Sequence, residues 1–125
     1  QSALDEAIKY TQERVQFGKT LSKFQNTQFT IADMATKVEA ARLLVYQAAQ
    51  QKDNGQDPSL TSSMAKYYAA EVANEVAYKS LQLHGGYGFV KDYRIERIFR
   101  DARILPIYEG TSQVQQIVIA GNILK

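Results

Sequence analysis

The amino-acid sequence predicts an all-α protein, an up-and-down four-helix bundle with an additional short helix. Apolar residues recur at helical spacing through most of the 125 residues. The breaks in this periodicity fall at Gly, Pro and short polar clusters, which end helices and form turns. Hydrophobic residues make up 45% of the chain, which is enough for one core, so residues 1–125 are expected to form a single domain.

The first helix is expected to be under way at Gln1, because an apolar face begins at Ala3 and no start signal precedes it. We expect this helix to end at Gly18, whose backbone freedom suits a helix C-terminus. The residues assigned to its buried face are Ala3, Leu4, Ala7, Ile8 and Val15.

Ser22 and Gln25 have the spacing of a capping box, which predicts that the second helix begins near Ser22. It should end near Asn54-Gly55. Its predicted buried stripe is Ile31, Met34, Ala35, Val38, Ala41, Leu44, Val45 and Ala48.

The third helix is predicted to start at Asp57-Pro58-Ser59 and to stop at Gly85-Gly86. Small side chains at Ala69, Ala70 and Ala73 allow a neighbouring helix to approach closely. The residues expected to point inward are Met64, Tyr68, Val72, Val76 and Leu83.

A short amphipathic helix is predicted from about Tyr93 to Ala102, and the last helix from about Thr111. Ser112 and Gln115 have capping-box spacing at the start of that last helix. The short helix should bury Ile95, Ile98 and Phe99, and the last helix should carry Val114, Ile117, Val118 and Ile123 inward.

Charge and composition argue against several classes of function. The 15 basic and 13 acidic residues are interleaved and leave a net charge of +2, so no nucleic-acid-binding face is expected. No apolar run has the length of a membrane span and no signal segment opens the chain, which predicts a cytosolic protein. There is no cysteine, and the single histidine, His84, lacks a second ligand, so no metal site is expected. His84 more simply ends a helix or packs beside the glycine turn.

Glu109 is the candidate general base, because this lone carboxylate lies between an apolar run and a helix start. Burial against Ile107 and Tyr108 would favour its protonated form, whereas the positive end of the following helix would favour its charged form. Either effect can dominate. An exposed turn glutamate beside a helix dipole fits the same residues.

Four motifs follow one another along nearly the whole chain. They are Glu13-Arg14-Val15-Gln16-Phe17-Gly18-Lys19 with Phe24-Gln25, then Gln82-Leu83-His84-Gly85-Gly86-Tyr87-Gly88-Phe89, then Arg100-Asp101-Ala102-Arg103-Ile104, then Tyr108-Glu109-Gly110-Thr111. In this order and spacing they resemble the acyl-CoA dehydrogenase family. In that family the region is the C-terminal helical domain and its first helix begins further upstream, so the resemblance implies that residues 1–125 are such a domain, truncated within its first helix.

The resemblance implies an FAD-dependent oxidation of an acyl-CoA thioester to the trans-2-enoyl product. Glu109 stands where the family has the carboxylate that removes the α-proton, and its neighbours Tyr108 and Gly110 are then substrate-binding. Some members carry the base on an earlier helix, so Glu109 argues against long-chain and isovaleryl-type patterns. Short-, medium- and branched-chain substrates remain open.

The same resemblance assigns the cofactor contacts. Arg14 matches a pyrophosphate ligand, and Phe17 and Gln25 match contacts to the flavin or its linker. The adenosine end falls to Gln82, Leu83, His84, Gly85 and Gly86, and the adenine and diphosphate region to Thr111, Ser112 and Gln113. Each has a plain structural alternative, because glycines also terminate helices and Arg14 also suits a helix C-terminus.

The resemblance further implies a homo-oligomer, a dimer or tetramer, because in the family Arg14 and the Gln82–Gly86 loop reach the flavin of a neighbouring subunit. Electron-transfer flavoprotein is the implied electron acceptor, and the implied location is the cytoplasm, or the mitochondrial matrix in a eukaryote. The sequence departs from the family pattern at Arg94, where proline is frequent, and at Gln116, where arginine often stands.

Two other functions compete with this interpretation. A non-catalytic helical oligomerisation module would be expected to lack the carboxylate at Glu109 or to break the glycine turn. An acyl-CoA oxidase would use the same base and let oxygen reoxidise the flavin. Oxygen access depends on the shape of the cavity, which the sequence does not give.

Overall fold

The computed structural model describes residues 1–125 and contains five helices with one minimal hairpin. The helices are α1 (Ser2–Glu13), α2 (Gln25–Asp53), α3 (Ser59–His84), α4 (Ile95–Ala102) and α5 (Ser112–Ile123). Strands β1 (Val15–Gln16) and β2 (Lys19–Thr20) pair antiparallel between α1 and α2. Single 3-10 turns at Leu21–Lys23 and Gly85–Gly88 complete the chain. The predicted all-α fold class is confirmed.

Helix α3 is the centre of the bundle, since α1, α2, α4 and α5 all pack against it. The core lies where α1, α2 and α4 meet this helix. Its fully buried side chains include Met34, Val76 and Ile95. Burying a side chain of this size contributes about 1.5–3 kcal/mol, so this junction is the main source of stability. None of the helices is both long and apolar enough to span a membrane.

An ion-pair network of two lysines and two carboxylates ties α2 to α3. Lys37 lies 3.1 Å from Asp33 and 2.5 Å from Glu75, and Lys79 lies 2.7 Å from Asp33 and 2.6 Å from Glu75. Hydrogen bonds from Lys79 and then Lys37 lower the pKa of Asp33, and those from Lys37 and then Lys79 lower the pKa of Glu75. We call these four residues the α2–α3 ion-pair network.

The predicted end of the first helix is wrong. Helix α1 stops at Glu13, because Arg14 takes an extended conformation and its carbonyl accepts a hydrogen bond from the Leu21 amide at 2.9 Å. Phe17 and Gly18, with φ of 50° and 79°, form the tight turn between β1 and β2. Gly18 therefore serves a hairpin instead of a helix C-terminus, and Val15 is exposed.

Both predicted capping boxes are wrong. Helix α2 begins at Gln25, and the Ser22 hydroxyl pairs with that of Thr20 within the preceding turn. At α5 the cap is Thr111, whose Oγ1 accepts from the Val114 amide at 3.2 Å. The Gln115 side chain donates to a loop carbonyl instead of reaching back to the cap.

The other predicted helix boundaries are found close to where they were expected. Helix α2 ends before Asn54-Gly55, and Gly55 has a φ of 72°. Helix α3 starts at Ser59, whose amide donates to the Asp57 carboxylate at 2.9 Å. It stops at Gly85, where φ is 59°.

The face of α5 that packs inward was predicted wrongly. Ser112 is buried and Gln115, Ile119 and Asn122 are half-buried, a spacing that forms one stripe along the helix against α3. The apolar residues expected inside point away from that stripe. Those found exposed against prediction are Val114, Ile117, Val118 and Ile123 on α5, and also Phe99, Val45 and Ala35.

Candidate functional site

The structure separates the predicted site residues into two places. The first is a cavity of about 480 Å³ at the C-terminal ends of α1 and α3, which we call the glycine-turn groove. It brings together six of the residues assigned to the cofactor with four others. Its lining consists of Arg14, Gln82, Leu83, His84, Gly85 and Gly86, together with Gln16, Leu21, Tyr87 and Val90.

Aromatic contacts fix the glycine-turn groove to α1. The Tyr10 ring stacks on the His84 ring with centroids 4.2 Å apart, and its hydroxyl donates to the His84 carbonyl at 3.3 Å. The His84 ring is buried, and its Nδ1 lies 2.7 Å from the Ser80 carbonyl oxygen. His84 therefore packs beside the turn, and it forms part of the wall of the glycine-turn groove. Burial raises the pKa of Tyr10, against the opposing charge of Arg14.

The glycines of the turn have different roles. Gly85 and Gly86 are exposed, and no atom lies within 4 Å of the position that a Cβ would take on either. A ligand can therefore approach this backbone closely. Gly88 is buried, and a Cβ there would stand 2.6 Å from the Leu81 carbonyl oxygen. Gly88 therefore lets the turn fold back onto α3. Sequence reasoning did not identify this role.

The donor groups of the glycine-turn groove suit the phosphate part of a dinucleotide. Arg14 is the only charged residue in the lining, and its guanidinium carbon lies 5.1 Å from the centre of the Tyr87 ring. Side-chain amides of Gln16 and Gln82 and the open backbone at Gly86 add neutral hydrogen-bonding groups. This set matches the chemistry of a pyrophosphate, so these residues fit part of an FAD molecule.

Phe17 and Gln25 lie outside this lining. Phe17 is 92% exposed at the tip of the hairpin and meets Phe24 edge-on at 6.4 Å. Gln25 is exposed as the first residue of α2. From the same connection it is Gln16 and Leu21 that reach the groove, so the assignments of Phe17 and Gln25 to a flavin stay predictions.

The second place is the segment between α4 and α5, which carries Glu109. The Glu109 side chain is exposed, and so are Ile107 and Tyr108. Glu109 has a φ of 53° and Gly110 a φ of 90°. A left-handed backbone is rare for a residue with a side chain, and such conformations cluster at functional sites. The Glu109 carboxylate is not buried within this chain.

The Glu109 amide makes no hydrogen bond within the chain, nor does that of Gly110, whereas two nearby amides do. The Tyr108 amide donates to the Ile104 carbonyl at 3.1 Å, and the Ser112 amide donates to the Pro106 carbonyl at 3.0 Å. An N–H without an internal partner, on an exposed residue beside a carboxylate, is available as a donor to an oxyanion.

The start of α5 is largely satisfied within the chain. The Ser112 hydroxyl donates to Glu71 at 2.6 Å, and the Thr111 hydroxyl accepts from Val114. Gln113 is exposed, and its backbone amide makes no internal hydrogen bond. A cavity of about 480 Å³ beside this helix start contains Arg103 in its lining. Of the three residues assigned to FAD here, Gln113 and Thr111 therefore have backbone amides available to a ligand.

Three residues of α3 contact this second region and were missed by sequence reasoning. Lys66, Glu71 and Asn74 form hydrogen bonds to the chain between Ala102 and Ser112. Their partners lie 28 to 44 residues away along the chain, and no local pattern reveals such contacts.

No three His, Cys, Asp or Glu side chains cluster as a metal ion requires.

A family model described as the C-terminal domain of acyl-CoA dehydrogenase matches residues 1–124. The chain is 59% identical to a subunit of the caffeyl-CoA reductase–Etf complex of Acetobacterium woodii and 55% identical to a 3-(aryl)acrylate reductase of Clostridium sporogenes. Each match covers 100% of this chain and 33% of the relative, so the chain spans about a third of their length. Among solved structures, butyryl-CoA dehydrogenase from Megasphaera elsdenii matches with a TM-score of 0.98 and 45% identity, covering 99% of this chain and 32% of that one.

Proposed function

The chain belongs to the acyl-CoA dehydrogenase family, whose C-terminal domain it matches, and from this premise we propose a function for the full-length protein. It is an FAD-dependent oxidoreductase that interconverts an acyl-CoA thioester and the corresponding 2-enoyl-CoA. The observation that carries the proposal is Glu109, an exposed carboxylate on a left-handed backbone whose own amide is free to donate.

Glu109 acts on the α-carbon of the thioester. An α-proton of this kind is very weakly acidic, so its removal needs both a positioned base and a donor for the oxygen that becomes negative. The Glu109 carboxylate takes the proton, and the Glu109 amide donates to the developing enolate oxygen. FAD, when bound, supplies the acceptor for the hydride from the β-carbon. Exposed Ile107 and Tyr108 give the acyl group an apolar surface beside the base.

Residues from both places contact the cofactor, at different ends of one FAD molecule or on two FAD molecules shared with neighbouring chains. Arg14 pairs with the pyrophosphate, and the open backbone at Gly85 and Gly86 lets the ligand lie close. The free amide of Gln113 at the start of α5 offers a donor to an anionic oxygen. Since the relatives are about three times as long as this chain, the remaining contacts come from other parts of the protein.

A second candidate is the same chemistry run towards reduction. It is favoured by the two relatives that are 59% and 55% identical, because both are reductases by name. In this direction Glu109 is the acid that returns a proton to the α-carbon, as microscopic reversibility requires. The substrate is then an unsaturated, aryl-substituted acyl thioester, and an electron-transferring flavoprotein is the partner that supplies electrons.

The test of the proposed function is Glu109→Gln in the full-length protein. Glutamine preserves shape and hydrogen bonding but cannot accept the proton, so FAD should stay bound while bleaching of the flavin by acyl-CoA slows by about 10²–10⁴-fold. Glu13→Gln, an exposed glutamate at the end of α1, is the matched control and should react normally. Wild-type bleaching by Glu109→Gln would refute the role of the base.

The direction and the competing functions need one further experiment. Reoxidation of the dithionite-reduced enzyme is followed with an alkyl 2-enoyl-CoA, with an aryl 2-enoyl-CoA and with oxygen. Preferential oxidation by the aryl substrate supports the reductase. Rapid oxidation by oxygen alone supports an acyl-CoA oxidase, and no reaction with any thioester in either direction supports a non-catalytic module.

A further inference from the structure

The segment that carries Glu109 is held at both ends by a single lysine. Lys66 lies on α3, half-buried, and its Nζ donates to the Leu105 carbonyl at 2.8 Å and to the Gly110 carbonyl at 2.7 Å. Leu105 precedes Glu109 by four residues and Gly110 follows it directly. One ammonium group therefore closes a short loop around the candidate base.

Two further contacts from the same helix hold the flanks of this loop. Asn74 donates to the Ala102 carbonyl at 2.8 Å, and Glu71 accepts from the Ser112 hydroxyl at 2.6 Å. We call Lys66, Glu71 and Asn74 the α3 clamp. Its members fix the end of α4 and the start of α5. Of the three, only Lys66 bonds Gly110, the residue next to Glu109, whose carbonyl also accepts a weaker 3.3 Å hydrogen bond from Gln115.

The loop needs this support because its backbone is strained at Glu109. Glu109 and Gly110 are both left-handed, with φ of 53° and 90°. A residue with a side chain keeps such a conformation only when its surroundings leave it no other. The carbonyl of Gly110 is where Lys66 binds, so the hydrogen bond acts directly on the second residue of the left-handed pair.

The charge of Lys66 is satisfied in an unusual way. No carboxylate lies within salt-bridge distance of it, whereas Lys79 on the same helix pairs with two. A half-buried ammonium is costly unless it is well hydrogen-bonded. The two loop carbonyls provide this compensation, and a charged donor binds them more strongly than a neutral one.

We propose that Lys66 is a positioning residue for Glu109. By holding the carbonyls of Leu105 and Gly110, it fixes the left-handed backbone that presents the Glu109 carboxylate and leaves the Glu109 amide free. This inference rests on the function proposed above for Glu109. Lys66 touches neither substrate nor cofactor in this role, and it acts only through the loop.

The experiment uses the full-length, FAD-loaded protein with three variants. Lys66→Met keeps most of the side-chain length but removes every donor, and Lys66→Arg keeps donors for two carbonyls. Lys79→Met removes a lysine from the same helix without touching the loop, and is the matched control. Steady-state kinetics, FAD content and amide hydrogen exchange of peptides covering residues 104–112 are measured for each.

In Lys66→Met we expect kcat to fall by about 10²-fold, because a small misplacement of a catalytic group has an effect of this size. KM and FAD content should stay within a few-fold of wild type, and exchange in residues 104–112 should accelerate. Lys66→Arg should recover most of kcat and of the protection. Lys79→Met should lower the melting temperature but leave kcat and the exchange of residues 104–112 unchanged. If Lys66→Met does not fold, Lys66→Gln, with one donor group, should show the same loss of kcat.

Wild-type kcat in Lys66→Met, or in Lys66→Gln if only that variant folds, overturns the proposal. Unchanged exchange in residues 104–112 does so as well, as does an equal loss of kcat in Lys79→Met. Glu109→Gln, measured in parallel, separates this result from the proposed function. If Glu109→Gln is inactive while the Lys66 variants are normal, only the positioning role fails. If Glu109→Gln turns over normally, the role of the base fails, and the exchange measurement still decides whether Lys66 holds the loop.

Discussion

Replacing Gly110 with alanine should destabilise the protein, and two other glycines in the chain separate the causes. Gly110 has a φ of 90°, and a Cβ on it would stand 2.5 Å from Nε2 of Gln115. Alanine therefore meets both backbone strain and a steric clash. The strain acts on the residue next to Glu109, so the change tests the left-handed conformation on which the candidate site depends.

The size of the effect follows from these two contacts. A left-handed backbone costs a residue with a Cβ about 1–2 kcal/mol. The clash is with the end of a flexible side chain, so Gln115 can turn away and lose only its 3.3 Å hydrogen bond to the Gly110 carbonyl. That weak bond contributes no more than about 1 kcal/mol. We therefore expect Gly110→Ala to lower the free energy of unfolding by about 2 kcal/mol, mostly through the backbone.

Gly55→Ala and Gly121→Ala are the matched comparisons. Gly55 has a φ of 72° with no atom within 4 Å of the added Cβ, so alanine there should show strain alone, about 1–2 kcal/mol. Gly121 lies inside α5 without a positive φ and with open space around it. Alanine at this helical position should stabilise the protein by about 0.5–1 kcal/mol.

The assay is urea unfolding of the 125-residue chain, followed by circular dichroism, for each alanine variant and for the double variant Gly110→Ala, Gln115→Ala. The double variant should recover little of the stability lost, since removing Gln115 leaves the strain in place. Full recovery would show that the clash dominates. A stabilising Gly110→Ala would refute the left-handed conformation itself, and a destabilising Gly121→Ala would refute the reasoning used for the controls.

Three more predictions test other parts of the molecule. Arg14→Ala in the full-length protein should weaken FAD binding by about 1.5–3 kcal/mol in a fluorescence titration, as expected for a charge-assisted contact to pyrophosphate, and unchanged affinity would place Arg14 outside the cofactor site. Because the carboxyls of the α2–α3 ion-pair network have lowered pKa values, their contribution to stability is present above about pH 4 and lost as pH falls below it. Asp33→Asn should therefore flatten the acid limb of a plot of melting temperature against pH, and an unchanged slope contradicts this. The 125-residue chain alone should self-associate in analytical ultracentrifugation and bind FAD weakly, and Ile117→Lys on the exposed face of α5 should reduce the association; a monomer that binds FAD at submicromolar concentration contradicts both.

The ends of α2 and α3 could be predicted because the residues that set them are local. Gly55 and Gly85 take positive φ where the helices stop, and Asp57 supplies an acceptor to the Ser59 amide where α3 starts. The expectation that a glycine ends the helix was wrong at Gly18, because a glycine with positive φ fits a hairpin turn as well as a helix end. The Arg14 carbonyl decides between them by accepting from Leu21, which is a contact between two elements.

The error at α5 has a different origin. A helical stripe of Val114, Ile117 and Val118 predicts that this face is buried, but the pattern does not say against which surface. In the chain itself α5 packs on α3 through the stripe that includes Ser112 and Ile119. Hydrophobic periodicity does not distinguish a face that packs within the chain from a face that packs on another surface.

The sequence motifs predicted candidate site residues by their type and order along the chain. The order of the motifs predicted roles for Arg14, the glycine turn and Glu109, and the structure leaves a side chain or backbone of each accessible, so their roles stay predictions. The motifs could not reveal Lys66, because a lysine on a helix face with both polar and apolar residues is normally exposed to solvent. Only the fold shows that its ammonium binds two carbonyls 39 and 44 residues away.

Helix α3 determines how the two halves of the candidate site relate to each other. Its C-terminus carries the glycine-turn groove, and Lys66 near its N-terminal end carries the loop with Glu109. At 1.5 Å per residue, the helix places Lys66 and His84 roughly 27 Å apart along its axis. One ligand group cannot touch both halves within a single chain, because a rigid helix separates them. The cofactor contacts of Arg14 and the base at Glu109 must therefore belong to different ends of a bound molecule or to two different molecules. The second arrangement is the one expected for the homo-oligomer that the sequence motifs imply, in which Arg14 contacts the cofactor of a neighbouring chain.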